Sequence, residues 1–382
     1  MNALLQLQES GQSYWLDNLT RQMIRTGELQ RRVTEQGLRG ITSNPTTFHK
    51  AIAGSDEYDD QIRHLTREAR TVHEICEELM VTDVRNACNI LQTVYEASDG
   101  IDGFVSLEVS PHLAHDTEGT MQEARRLFGL VDRPNLYIKI PGTVAGVPAI
   151  EQMLYEGIPI NITLLFSLPS YEAVAQAYLR ALERRTADGK PVQSVASVAS
   201  FFLSRIDLLV DQLLQHRIGC KEDGAGKASL PAYLLGRVAN ANAKLAYQSF
   251  KRIFSGVRWE MLAAQGARVQ RPLWASTGNK NPAYRDVRYV EPLIGPNTVN
   301  TMPEQTIKAF ADHGQVIADS IEADVGESHR IFRELVNVGI DFDCVTWQLE
   351  HEGIQKFIEP YDALMKALAD KRQAYLSEAV PT

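Results

Sequence analysis

Short apolar or alternating runs recur along the chain, and between them apolar positions return at helical spacing. The runs are Tyr14 to Asn18, Gly40 to Asn44, Gly103 to Val109, Leu136 to Ile140, Ile160 to Leu165, Ser194 to Ser200, Pro272 to Ser276 and Asn297 to Thr301. Eight strands alternating with helices predict an α/β fold, the closed (β/α)8 TIM barrel. The connections agree. Between the fifth and sixth strands Val174, Ala177, Tyr178, Ala181 and Leu182 repeat at the helical period, with Ser170 available as N-cap. Gly157 is placed to close a helix ending near Glu156, and Thr301 and Glu304 have capping-box spacing. The crossovers 45–102 and 201–271 each have room for two or more helices, and Gly219 to Gly226 reads as an exposed loop. Beyond Pro303 the pattern is helical, ending in a helix from about Gly353 to Tyr375. These helices, about 303–382, are expected to pack around the barrel as part of one domain over 1–382, a small separate domain being the alternative.

Alternate side chains of a strand face opposite sides, so one parity must point at the barrel axis. In the fourth strand Leu136, Ile138 and Ile140 share the helix-facing side, leaving Tyr137 and Lys139 inward. The same reasoning turns Phe104, Ser106 and Glu108 inward from the third strand, and Asn161 and Thr163 from the fifth, where Ile160, Ile162 and Leu164 face out. It also aims inward Trp15 and Asp17, Thr42 and Asn44, Ser194 and Ser200, and Trp274 and Ser276. Most of the polar members fall near strand C-termini, where barrels of this type assemble active sites. Burying a lysine and two carboxylates for stability alone gains little, because even a paired buried charge roughly breaks even. Desolvation favours the neutral amine of a lysine, the form that attacks a ketone to make a Schiff base. Structural readings remain beside this one: Lys139 paired with Glu108 in the core, Asn44 shaping a turn before Pro45, and Ser276-Thr277-Gly278 as an ordinary turn.

Composition narrows the class. The chain has 382 residues, 44% hydrophobic and 23% charged, as a globular protein with a sizeable core has. Lys and Arg number 39 against 48 Asp and Glu, a net charge of −9 without a basic run. Neither nucleic acid nor an anionic membrane is expected as partner, and an anionic ligand must be held by a local cationic site. The first basic residue is Arg21, and no 18 consecutive residues are apolar, so a cytoplasmic location is expected. Cys76, Cys88, Cys220 and Cys344 form no CxxC pair, which favours reduced structural thiols and no metal site.

Four segments resemble the transaldolase family: Gly40-Ile41-Thr42-Ser43-Asn44-Pro45-Thr46, Ile138-Lys139-Ile140-Pro141-Gly142-Thr143, Asn161-Ile162-Thr163-Leu164-Leu165-Phe166-Ser167 and Ala275-Ser276-Thr277. Length and the long helical C-terminal part look like its larger bacterial monofunctional branch. The resemblance implies a class I aldolase-like barrel that needs no cofactor and moves a dihydroxyacetone unit between sugar phosphates in the pentose phosphate pathway. It implies Lys139 as Schiff-base lysine, Asp17 as acid/base at the cleaved bond, and Glu108 with Thr163 as holders of a catalytic water. Asn44, Asn161 and Ser200 would bind the dihydroxyacetone portion, and Arg205 with Ser276 the phosphate. Many members carry arginine two residues after the serine matching Ser276; here that position is Gly278, and Lys280 is the nearest replacement. A fructose 6-phosphate aldolase-like enzyme and a non-catalytic sugar-phosphate-binding barrel are the alternatives. Oligomeric state is not legible.

Overall fold

The computed structural model describes residues 2–219 and 229–378. Eight parallel strands close in sequence order into a barrel: β1 (Gln12–Leu16), β2 (Gly40–Thr42), β3 (Phe104–Glu108), β4 (Leu136–Pro141), β5 (Ile160–Leu165), β6 (Ser197–Phe202), β7 (Arg271–Ala275) and β8 (Thr298–Met302). All eight expected strands are present, and β8 closes the ring by pairing with β1 from Gln12↔Thr298 to Leu16↔Met302. The crossover before β3 holds three helices, Pro45–Ala53, Asp59–Arg67 and Val72–Ala97. The crossover before β7 holds four among the described residues, and most of the expected 219–226 loop lies outside them.

The barrel interior is layered. Trp15, Phe104 and Tyr137 point inward and stack across its middle, with ring centroids 4.0 Å apart for Phe104–Tyr137 and 6.0 Å for Trp15–Tyr137. Gly40 is required beside them, because a Cβ there would lie 2.5 Å from the Trp15 indole. Below this plug, toward the N-terminal ends of the strands, Arg271 donates to Asp102 and Ser13, and Ser13 donates to Asp102. Above it sit the polar residues of the candidate site. Apolar side chains on the other strand face, such as Ile138, Ile160 and Ile162, are fully buried under the helices.

Several local expectations are corrected. Trp274 faces the helices: its Nε1 donates to the Leu293 carbonyl, and its ring lies 6.0 Å from Phe201, which packs on Tyr171 of the helix Leu168–Ala187. Parity ties Trp274 to Ser276, but Ser276 adopts a left-handed backbone (φ +53°), which breaks the alternation and lets it join Ala275 on the cavity wall while Trp274 does not. Leu164 likewise sits at φ +58°, where the β5–β6 register shifts, and its side chain meets Gly353 of the last helix instead of facing outward. Ser194 is exposed and precedes β6. The helix after β5 is capped by Ser167, whose hydroxyl accepts from the Ser170 amide. Thr301 hydrogen-bonds Thr42 from the far side of β1 and Glu304 binds Arg32, so they form no capping box. The last helix begins well before Gly353, running Phe342–Glu378 with Pro360 inside it. It packs on the helices Pro45–Ala53, Asp59–Arg67 and Val72–Ala97.

Candidate active site

The C-terminal ends of the strands surround a cavity of about 600 Å³. Lys139, third residue from the end of β4, is buried at 5% exposure, and its Nζ donates to the Ser43 carbonyl at 2.8 Å. Register pairs it with Glu108 on one side and Asn161 on the other. Glu108 Oε2 accepts from Lys139 Nζ at 3.3 Å, and Oε1 accepts from the Thr163 hydroxyl at 3.4 Å. One carboxyl therefore bridges the amine and a hydroxyl on the next strand but one. Deeper in the wall, Ser200 donates to Asn161 Oδ1 at 2.7 Å, and Asn161 Nδ2 donates to Ser106 at 3.1 Å.

Across the cavity Asp17 follows the end of β1. Its Oδ1 accepts from Thr42 at 3.0 Å and from Asn44 Nδ2 at 3.3 Å. Asn44 also caps the helix Pro45–Ala53, its Oδ1 accepting from the Thr47 amide and hydroxyl. The turn role and the site role thus coexist: the carbonyl oxygen serves the helix and the amide nitrogen faces Asp17.

Arg205 lies in the first turn of the helix Ser204–Gly219, directly after β6. Its Cζ stands 5.2 Å from the Phe202 ring and 5.7 Å from the Phe357 ring. Its Nη1 is buried without a hydrogen-bond partner among the described residues. The residue lines the cavity and has no ion-pair partner among the described residues, so its guanidinium charge is available to an anion bound there. Beside it the turn after β7 is held on both sides. The Ser204 and Ser276 hydroxyls are 2.9 Å apart, the Ser204 amide donates to the Ser276 carbonyl, and Thr277 donates to the Thr301 carbonyl. This bracing supports the left-handed Ser276, whose conformation costs about 1–2 kcal/mol. Gly278 runs against Pro303, whose Cγ would be 3.0 Å from an added Cβ, so position 278 is crowded. Lys280 and Lys50 line the same mouth.

Burial raises the pKa values of Asp17 and Glu108 above the ordinary carboxylate range, outweighing the Lys139 charge that lowers both. Burial lowers Arg205, against the pull of Asp17 and Glu108, and lowers Lys280, with the neighbouring Arg205 charge adding to it. Protonation of a buried carboxyl is thereby favoured next to the amine, which suits a lysine that must shed its own proton to react. Cys76 and Cys88 are free, buried and pushed up to about 12 by that burial, while Cys344 is exposed and hydrogen-bonded to Asp341; Cys220 lies outside the described residues. Among the described residues no cluster of His, Cys, Asp or Glu could hold a metal ion, and no helix is long and apolar enough to cross a membrane.

Of the residues singled out from sequence, Asp17, Asn44, Lys139, Thr163, Ser200, Arg205, Ser276 and Lys280 line this one cavity. Glu108 and Asn161 stand behind its wall, in contact through Lys139, Thr163 and Ser200. Sequence reasoning missed Lys50, Phe202, Thr301 and Phe357. Phe202 could have been found as the inward position two beyond Ser200. Phe357 had no such signal, since it arrives on a helix far along the chain.

The profile of the family described as Transaldolase/Fructose-6-phosphate aldolase matches residues 14–368. The chain is 52% identical over 376 residues to Transaldolase 2 of Nostoc punctiforme, covering 97% of each chain. It is 48% identical over 372 residues to the transaldolase of Trichodesmium erythraeum, again 97% of each. It is 45% identical over 372 residues to that of Thermobifida fusca, covering 97% of this chain and 99% of the relative.

Proposed function

The chain belongs to the transaldolase/fructose-6-phosphate aldolase family, and on that premise we propose how its residues carry the reaction. Its function is that of a transaldolase: sedoheptulose 7-phosphate and glyceraldehyde 3-phosphate give erythrose 4-phosphate and fructose 6-phosphate through a lysine Schiff base, in the pentose phosphate pathway. The observation that carries the assignment is the buried Lys139 amine on the cavity wall, bridged by Glu108 to Thr163.

Lys139 Nζ attacks the ketose C2 carbonyl, and the carbinolamine loses water to give the iminium. Glu108, leaning toward its protonated form, supplies the proton for the departing hydroxide, and with Thr163 it holds the water that later hydrolyses the imine. Asp17 removes the C4 hydroxyl proton. The C3–C4 bond then breaks, its electron pair moves toward the iminium, and the aldose phosphate leaves while a three-carbon enamine stays on Lys139. The enamine carbon adds to the incoming aldehyde, Asp17 returns the proton to the new hydroxyl, and hydrolysis frees the ketose. Burial raises the Asp17 pKa, which makes its carboxylate a better base for the first proton transfer than an ordinary one. Asn44 and Ser200 bind the dihydroxyacetone hydroxyls, with Asn161 orienting the Ser200 hydroxyl from behind. Arg205 and Ser276 take the phosphate, and Lys280 supplies the second cation in place of a side chain at Gly278.

We read the chain as one barrel domain, the helices beyond about 303 included, acting in the cytoplasm on small sugar phosphates and on neither nucleic acid nor membrane. Borohydride reduction in the presence of fructose 6-phosphate is expected to inactivate the protein and to place a three-carbon adduct on the peptide containing Lys139. Lys139→Ala is expected to abolish turnover and labelling, with some loss of thermal stability because Glu108 stays buried without its cationic partner. Adduct on another lysine overturns the assignment.

A further inference from the structure

The reaction as described leaves Phe357 without a role, although its placement is costly to arrange. The ring is buried at 5% exposure, lines the cavity, and lies 5.8 Å from Lys139 Nζ and 5.7 Å from Arg205 Cζ. It thus neighbours both the amine that would carry the intermediate and the cation that would hold the distal phosphate. The helix carrying it is brought close by two special backbone positions. Gly353, one turn earlier, faces Leu164 and Arg205: an added Cβ would lie 2.9 Å from Leu164 Cδ2 and 3.4 Å from Arg205 Nη1. Glycine weakens a helix interior, so its presence here answers to that close approach. Leu164 meets it from a left-handed bulge at the end of β5. Phe202 adds a second ring, 6.3 Å from Phe357, while the rest of the wall around Lys139 is polar, with Asp17, Asn44, Thr163 and Ser200.

Resting on the Schiff-base reading above, we propose that Phe357 is the apolar roof that decides whether the enamine on Lys139 is transferred or hydrolysed. The enamine has two fates. Its nucleophilic carbon can add to an aldehyde, or it can take a proton, after which water adds at C2, the C–N bond breaks and free dihydroxyacetone leaves with the lysine amine restored. The second fate consumes one water and no oxidant or reductant. A ring over Lys139 keeps bulk water from that carbon but leaves room for an aldehyde anchored by its phosphate at Arg205. Its face also stands within reach of the iminium charge that precedes cleavage.

The test is the partition of the three-carbon unit. Purified full-length protein is given fructose 6-phosphate without acceptor, and free dihydroxyacetone is measured against glyceraldehyde 3-phosphate; transfer to erythrose 4-phosphate is measured in parallel. Phe357→Ala is expected to raise the ratio of dihydroxyacetone release to transfer by about tenfold or more. Phe357→Leu, which keeps an apolar roof, is expected to hold the ratio near that of the parent even where transfer slows. Gly353→Ala, which lifts the helix, should move the ratio in the direction of Phe357→Ala. If Phe357→Ala and Gly353→Ala lower release and transfer equally, the roof has no role in partition and the proposal falls. If Phe357→Ala fails to fold, an unchanged ratio in Gly353→Ala has the same force. Borohydride labelling of Lys139 in the parent protein separates the two readings: normal labelling with an unchanged ratio rejects the roof alone, and absent labelling rejects the Schiff-base assignment.

Discussion

At the N-terminal end of the barrel Arg271 directs its donors to Ser13 at 3.0 Å, Asp102 at 2.8 Å and the Ile101 carbonyl at 2.8 Å, and Ser13 completes the ring by donating to Asp102 at 2.7 Å. At the C-terminal end Lys139 has one good acceptor and one long ion pair, and Arg205 has an orphaned Nη1. Burial does not distinguish the two ends: the Arg271 and Asp102 side chains are 8% and 11% exposed, those of Lys139 and Glu108 6% and 5%. Hydrogen-bond saturation does. Arg271 is closed by protein acceptors, whereas Arg205, which lines the cavity, has no ion-pair partner among the described residues. The aromatic layer of Trp15, Phe104 and Tyr137 between the ends separates the two clusters.

Breaking the saturated end should give the largest effect on stability and none on chemistry. Arg271→Ala leaves Asp102 buried and unpaired, for which about 3–5 kcal/mol of destabilisation is expected. Urea unfolding should show it, while kcat/KM per folded molecule stays at the parent value. Replacing both partners, as Arg271→Met with Asp102→Leu, should recover most of the loss, because no charge is then stranded. A fall in kcat/KM equal to that of a cavity residue would mean that the aromatic layer does not insulate the ends.

The contrast also explains what was legible. Strand parity found Lys139, Glu108, Asn161 and Thr163 because β3, β4 and the first part of β5 are regular, so a polar residue among apolar alternates marks the inward face. The same rule misplaced Trp274, two residues before the left-handed Ser276, and Leu164, itself left-handed, since a non-glycine residue at positive φ leaves no mark in a pattern of apolar and polar letters. Thr301 and Glu304 have the spacing of a cap yet bind Thr42 and Arg32, because tertiary partners outcompeted a local motif. The Arg271–Asp102 cluster joins residues 169 apart, and the Phe357 contact with Lys139 is more distant still, so neither has a local signature.

Within the open end, the two cations after β6 and β7 should separate. Arg205→Ala is expected to lower kcat/KM for glyceraldehyde 3-phosphate by about 2–4 kcal/mol in activation free energy, and to cost much less with unphosphorylated glyceraldehyde. Lys280→Ala should show the same selectivity with a smaller loss that shrinks as salt is added, because Lys280 is the more solvent-exposed of the two. Steady-state kinetics on both acceptors, at two ionic strengths, checks this. Equal losses on the two acceptors in Arg205→Ala would make that arginine part of the fold and remove it from the open end of the comparison.

The smallest effect expected is a gain. Asp17 has no ion-pair partner among the described residues, and burial raises its pKa against the opposing Lys139 charge and the Thr42 and Asn44 hydrogen bonds. Asp17→Asn keeps an oxygen able to accept from both Thr42 and Asn44 but carries no charge to desolvate. A stabilisation of about 0.5–2 kcal/mol at neutral pH is expected, the range common when a functional group is exchanged for a better-suited one. The pH dependence identifies its origin. A carboxyl with a folded pKa above its unfolded value of 3.8 holds its proton more tightly when folded, so its contribution is full below that value and lost as pH rises through the raised one. The advantage of Asp17→Asn should therefore vanish below about 3.8, grow as pH rises through the folded pKa, and then level off. The same variant should still trap fructose 6-phosphate on Lys139 with borohydride but should not cleave it, since an amide cannot take the C4 hydroxyl proton. A variant no more stable than the parent at neutral pH would show that Asp17 is as well satisfied as Asp102, and the two ends of the barrel would then differ in their cations alone.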